Sequence, residues 1–147
     1  MRYSRSLSKL GELLERADLT SALDDKMFTL FAPHNDAFKK MLPLELKAME
    51  NNKPQLTKVL QRHIISGRKI ADDGFVDTKY QTSNTAMDII QINQDPNDRD
   101  KQVISFNDTK SRHNTRDRKD DIIVGKGIIH IIDTVLLEGI LTFISAF

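Results

Sequence analysis

The chain has no cysteine, no tryptophan, few aromatics, almost no net charge and no long apolar run. Without cysteine there are no disulfides, no thiolate catalysis and no cysteine-based zinc site. The compartment stays open, because a domain of 147 residues can fold outside a cell without cross-links. Aromatics at 6%, seven of them phenylalanine, make the core mainly aliphatic. A net charge of +1, from 22 Lys+Arg against 21 Asp+Glu, gives no long-range pull on a polyanion, so an electrostatic partner must meet a local patch. The apolar stretches fall far short of the roughly 20 residues that cross a bilayer. Met1-Arg2-Tyr3-Ser4-Arg5-Ser6 leads into no apolar leader, so an exported protein is expected to have its leader or anchor outside these residues.

What is present fits one soluble domain. A chain this long has room for one core and little room for two. Leu7, Leu10, Leu13, Leu14 and Ala17 recur at helical spacing with Ser4 or Ser6 available as a cap. Phe28 to Ala32 predicts a strand with apolar contacts on both faces, stopped by Pro33, which has no amide proton. Asn35 or His34 then caps a helix from Asp36, whose charge suits a helix start. Leu44 to Asn51 and Gln55 to His63 predict two more helices, the latter with Leu56, Val59, Leu60 and His63 inward and Lys58, Gln61 and Arg62 beside them. Ile64-Ile65 leaves that helix and Ser66-Gly67 turns. Beyond Lys69 the period is that of strands: Phe75-Val76, Thr85 to Ile92, Gln102 to Phe106, Ile122 to Val124 and Ile128 to Leu137, with a loop over residues 93–100. Helices first and strands later predict an α+β domain.

The polar residues supply weak chemical signals. His63 or His130 with Asp36 or Asp133 could ligate zinc, but no compact ligand spacing occurs. Ser66, Ser105 and Ser111 lack a nucleophile-elbow context. Asp72-Asp73 and Asp120-Asp121 are adjacent in sequence, which does not place two carboxylates across a cleft. Gly125-Lys126-Gly127 is too short to cradle phosphate and is expected to allow backbone angles for a tight turn into the last strand. The segment 110–119 has five Lys/Arg, one Asp and no aliphatic residue. It is expected to protrude as a solvated loop whose Lys110, Arg112, Arg116, Arg118 and Lys119 could meet an anionic glycan or lipid headgroup. No aromatics interleave with it, which argues against nucleic acid. Asn107-Asp108-Thr109 is an N-glycosylation sequon.

Two segments bear a family pattern. Phe28-Thr29-Leu30-Phe31-Ala32-Pro33-His34-Asn35-Asp36-Ala37-Phe38 resembles the first signature of the fasciclin-type domain, with His34 where threonine or serine is usual. Gly127-Ile128-Ile129-His130-Ile131-Ile132-Asp133 followed by Val135-Leu136-Leu137 is similar to the second, and Asp121-Ile122 matches an aspartate–isoleucine pair nine residues before its histidine. His63 matches the histidine of the tyrosine–histidine motif, but Arg62 replaces the tyrosine. Asp108 stands where glycine usually follows Asn107.

The resemblance implies a fasciclin-like β-sandwich or wedge with a packed helical layer, both signature strands being central. One domain over residues 1–147 is expected, with its core at about 5–138 and an extension at 139–147. It implies Phe28, Thr29, Phe31, Pro33, Asn35, Phe38, His63, Asp121, Gly127, His130 and Asp133 as structural signature positions. It further implies a non-enzymatic adhesion or protein-interaction module, extracellular, on a cell surface or periplasmic, without cofactor, metal or catalytic residues. Its expected partners are cell-surface or matrix proteins, integrin-like receptors or another copy. Anionic glycan or lipid-headgroup binding through residues 110–119 is the alternative, and a hydrolase with a His/Asp site is the remote one.

Overall fold

The structure is a computed structural model that describes residues 7–20, 23, 27–66, 78–81, 89–106, 109–114, 121–124 and 127–137. Its elements run α1 (Ser8–Arg16), β1 (Phe28–Pro33), α2 (Asn35–Lys39), α3 (Pro43–Glu50), α4 (Lys53–Arg62), β2 (Ile64–Ser66), β3 (Thr78–Gln81), β4 (Ile89–Gln94), β5 (Lys101–Phe106), β6 (Thr109–Asn114), β7 (Asp121–Val124) and β8 (Gly127–Ile132). The expected strand at Phe75-Val76, residues 85–88 of the next one, and residues 139–147 lie outside the described residues.

Two four-stranded sheets form, in the orders β2-β1-β8-β7 and β3-β4-β5-β6. In the first, β1 and β8 are central and parallel, in a register from Thr29 opposite Ile128 to Pro33 opposite Ile132. The second is an antiparallel meander. Alternation along β1 divides the core. Phe28, Leu30 and Ala32 join Ile129 and the helical residues Leu10, Leu13, Leu14, Phe38, Met49, Leu56, Val59 and Leu60. Phe31 and Ile132 join Ile65, Leu136 and the second sheet's Ile90, Ile92, Ile104 and Phe106. The first sheet is thus the middle layer of an α+β domain, with helices on one face and the second sheet on the other.

Several elements differ from the sequence reading. β1 ends at Pro33 as its missing amide proton predicts, although Pro33 itself is still paired, opposite Ile132. The amide of His34 points to β8, bonding the Ile132 carbonyl, and that of Phe31 points to the other side, bonding the His63 carbonyl. The missing proton of Pro33 therefore faces the β2 side, beyond the last β2 pair at Leu30–Ile64, where the ladder needs no donor. Ile64–Ser66 is a short strand rather than an exit and turn. Thr109–Asn114 is a strand paired along the whole of β5, not a protruding loop. Asn93 and Gln94 belong to β4, paired with Val103 and Gln102. β8 ends at Ile132, five residues before Leu137, because Asp133 and Thr134 bend the chain across β6. Helix α1 begins after Leu7, whose side chain makes no cap, and the candidate caps Ser4 and Ser6 lie outside the described residues.

Gly127 fills a need for space rather than for unusual angles. Its φ lies outside the left-handed region, and a β-carbon there would come within 2.2 Å of the Phe28 ring. That ring is buried in the helical half of the core and cannot swing into water without exposing it. Gly127→Ala is therefore expected to cost about 1–3 kcal/mol by overpacking. Urea unfolding should show an earlier midpoint at unchanged slope. A midpoint equal to the parent's would mean the ring has somewhere to go.

At the start of α3, Pro43 takes the first helical position and Glu45 sits buried in the first turn. Burial raises the Glu45 carboxyl above its ordinary value, partly opposed by the Leu42 amide that the carboxylate accepts. A raised acid binds its proton more tightly folded than unfolded. Its contribution is thus present below the ordinary carboxylate range and lost as pH rises through the folded value. Glu45→Gln keeps an acceptor for Leu42 and removes the charge. The variant should melt higher than the parent near pH 7, by a gap that closes toward about pH 3. A gap that is constant with pH would sink this account.

Candidate functional site

The polar signature residues are gathered where the layers meet. His63 follows the last turn of α4. Its Nδ1 lies 2.8 Å from the Val59 carbonyl and its Nε2 lies 2.9 Å from the Leu136 amide. An amide can only donate, so Nε2 is the acceptor and Nδ1 carries the proton that goes to Val59. The His63 carbonyl accepts the Phe31 amide at 2.8 Å. One residue therefore ties α4, β1 and the strand-like segment after β8, and neither ring nitrogen remains for a proton transfer or a metal.

Arg62 does not face away as its charge predicts. It is 1% exposed, its guanidinium carbon stands 4.0 Å from the centre of the Phe106 ring, and Nη1 donates to the Leu136 carbonyl at 3.3 Å. A planar, weakly hydrated cation can lie on an aromatic face while its edge serves carbonyls, which lets it occupy an interior position. Arg62 and His63 thus hold opposite polar groups of the same residue, Leu136.

Asp133 and Ser111 make the second junction. Asp133 Oδ1 accepts the Arg112 amide at 2.9 Å, the Thr134 hydroxyl at 3.1 Å and the Ser111 hydroxyl at 3.3 Å. Ser111 Oγ in turn accepts the Thr134 amide at 2.9 Å, and the Asp133 amide donates to the Arg112 carbonyl at 3.1 Å. These bonds join β8 of the first sheet to β6 of the second. Thr109 extends them, its hydroxyl donating to the Leu137 carbonyl at 2.9 Å. Neither Ser111 nor Arg62 is legible as structural from apolar periodicity. The signal for β6 is the alternation of Thr109, Ser111 and His113 with Lys110, Arg112 and Asn114.

The other signature residues are placed as follows. His34, not Asn35, caps α2, its Nδ1 accepting the Ala37 amide at 3.1 Å. Asn35 instead reaches α1, where Oδ1 accepts the otherwise orphaned Lys9 amide at 3.0 Å and Nδ2 donates to the Ser8 hydroxyl at 3.0 Å. It supplies from elsewhere in the chain the cap that α1 lacks. Asp36 is exposed in the first turn of α2 and pairs with Lys39 at 3.4 Å. Thr29 and His130 are fully buried, and His130 stacks on Phe31 with ring centres 5.8 Å apart. Phe28, Phe31 and Phe38 are buried, and Asp121 pairs with His130 in the ladder between β7 and β8.

Of the basic residues grouped by sequence, Lys110 and Arg112 stand on β6, while Arg116, Arg118 and Lys119, like Asn107 of the sequon, lie outside the described residues. Arg112 Nε donates to Asp95 Oδ2 at 2.9 Å. The Asn97 amide and then Arg112 hold the Asp95 carboxyl below the ordinary range. Among the described residues no group of three or more His, Asp or Glu is placed to hold a metal ion, and no helix is long and apolar enough to cross a membrane.

Comparison with known proteins places this geometry. The family described as "Fasciclin domain" matches residues 5–138. The chain is 28% identical to human periostin over 140 residues, which is 92% of the chain and 15% of periostin. It is 31% identical over 58 residues to the immunogenic protein MPB70 of Mycobacterium bovis, covering 40% of the chain and 30% of that protein. Over 113 residues it is 28% identical to the Synechocystis protein sll1735, covering 76% and 74%. It thus spans a small part of the first two relatives and about three quarters of the third. A solved structure of a FAS1 domain pair from the insect cell adhesion molecule fasciclin I superposes with a TM-score of 0.70 at 20% identity, over 92% of this chain and 48% of that one.

Arg62 gives a direct test of the junction. Removing one member of a buried polar set costs more than replacing it with a residue of similar bulk. Arg62→Ala is expected to lose about 3–5 kcal/mol, and Arg62→Tyr, the residue usual in the tyrosine–histidine motif, less than half of that. Chemical unfolding of both variants checks the order. Equal losses would show that the guanidinium matters and the bulk does not.

Proposed function

The chain belongs to the fasciclin domain family, and from that premise we propose that it is a non-enzymatic module for adhesion or protein interaction, working outside the cell or at its surface. The observation that carries this reading is how the signature's polar groups are used. Both ring nitrogens of His63, the shared carboxylate oxygen of Asp133 and both ends of the Asn35 amide bond main chain or neighbouring side chains that join elements. A site for acid–base or nucleophilic chemistry needs such groups turned toward a substrate. Here they stabilise the frame, and recognition falls to the outer surface.

Its partners are then cell-surface or matrix proteins, integrin-type receptors or a second copy. Several copies held together convert later contacts into intramolecular ones and can raise avidity by about 10²–10⁴. The test is to tether the chain on beads at increasing density and measure retention of cells and of soluble matrix proteins. Retention should rise steeply with density. No retention of either at any density would overturn the reading.

A further inference from the structure

The outer face of the second sheet has not been used by anything above. Its inner face is settled, since Ile90, Ile92, Ile104, Phe106 and Ser111 are buried. Alternation then places Gln91 and Asn93 of β4, Lys101, Val103 and Ser105 of β5, and Lys110 and Arg112 of β6 on the other face, where Val103 is itself buried. The register sets Gln91, Ser105 and Lys110 in one row across the strands and Asn93, Val103 and Arg112 in the next. Lys110 and Arg112 are two residues apart on one strand, about 7 Å along it.

None of these outward positions carries a carboxylate. The nearest described one is Asp95, at the β4 end, and it is committed: the Asn97 amide bonds Oδ1 and Arg112 Nε bonds Oδ2. Asp98 and Asp100 stand in the turn at the Lys101 end and Asp95 offsets part of the Arg112 charge, so the least opposed positive charge is at Lys110. Asp95 also fixes how Arg112 presents itself. With Nε held, the end-on edge formed by the two terminal nitrogens is left to outside acceptors, and the side chain is 41% exposed. That edge is the one that takes a carboxylate or sulfate in two parallel bonds.

We propose that this face, centred on Arg112 and Lys110 with Ser105 and Gln91 beside them, binds an anionic polysaccharide, sulfated or carboxylated. The chemistry of the face selects that partner. Arg112, held by Asp95, and the exposed Lys110 meet charged groups on the sugar chain, while the Gln91 amide and the Ser105 hydroxyl serve its hydroxyl groups. Lipid-headgroup patches read clustered charge alone, whereas Arg112 here is held in one orientation by Asp95. Nucleic acid would need aromatic side chains for stacking, and this face has none. The proposal rests on the reading of the chain as a recognition module and names one class of partner for it.

The test uses the whole chain, a heparin-derived oligosaccharide, its desulfated counterpart and vesicles containing phosphatidylserine. The parent is expected to bind the sulfated sugar in a salt-sensitive way and to bind the other two weakly. Lys110→Gln with Arg112→Gln should lower affinity about 10-fold or more, the loss of two charge-assisted contacts, with circular dichroism and melting checking the fold. Asp95→Asn is decisive because it removes a negative charge beside the face while releasing Arg112. Orientation by Asp95 predicts several-fold weaker binding, whereas plain attraction predicts tighter binding. Tighter binding in Asp95→Asn, unchanged affinity in the double variant, equal binding to vesicles, or loss confined to an Arg116→Gln, Arg118→Gln, Lys119→Gln variant would each overturn the proposal. If the double variant loses the sugar but still retains cells on beads, adhesion stands through another surface. Sugar binding without any retention would reject the adhesion reading alone.

Discussion

The parallel pairing of β1 with β8 is the constraint on which the rest of the domain depends. It brings together segments nearly a hundred residues apart and places both in the middle layer, buried on both faces. Closing so long a loop costs conformational entropy that grows only slowly with length but must be met before any contact across it forms. The stabilisation comes from two cores at once, since each strand gives alternate residues to the helices and to the second sheet. In a parallel pair, residues in register share a face. That is why Phe31 stacks on His130, and why Phe28 and Gly127 meet on the other side.

The junctions at His63, Arg62 and Asp133 follow from that pairing. Once β8 ends at Ile132, the chain must turn away from the sheet and cross β6, which leaves the backbone of residues 133–137 inside the domain without a full ladder. Buried amides and carbonyls need partners. Side chains supply many of them: His63 serves the Leu136 amide, Arg62 its carbonyl, Thr109 the Leu137 carbonyl and Ser111 the Thr134 amide. The histidine and aspartate of the signatures are thus explained by an irregular segment passing through the interior.

This division explains what could be read from the sequence. β1 and β8 were legible because an apolar run on both faces is a strong pattern, and the order of helices before strands gave the α+β class. His63 was legible as inward from its spacing with Leu56, Val59 and Leu60. Arg62 was not, because periodicity assigns a charge to solvent and cannot see that Phe106 waits across the domain to receive a guanidinium. β6 is not legible for a related reason: its inward positions carry polar residues such as Thr109 and Ser111, so it has strand period without strand composition. Asn35 was assigned to its own helix because local capping is the nearest explanation, whereas its partners lie in α1, 26 and 27 residues away.

β6 also shows how the frame and the surface are coupled. Ser111 faces inward and joins the two sheets, and its neighbour Arg112 faces outward while its backbone amide is held by Asp133 and its side chain by Asp95. The cation is therefore fixed at both ends, by the interior junction and by the turn after β4. A side chain ordered before it meets a partner loses less freedom on binding than one that must be ordered by the encounter. The half-buried aspartate of the signature, Asp133, is committed to the junction between the sheets. It sets the strand that carries Arg112, and a polar segment that composition assigns to a solvated loop becomes a paired strand of the second sheet.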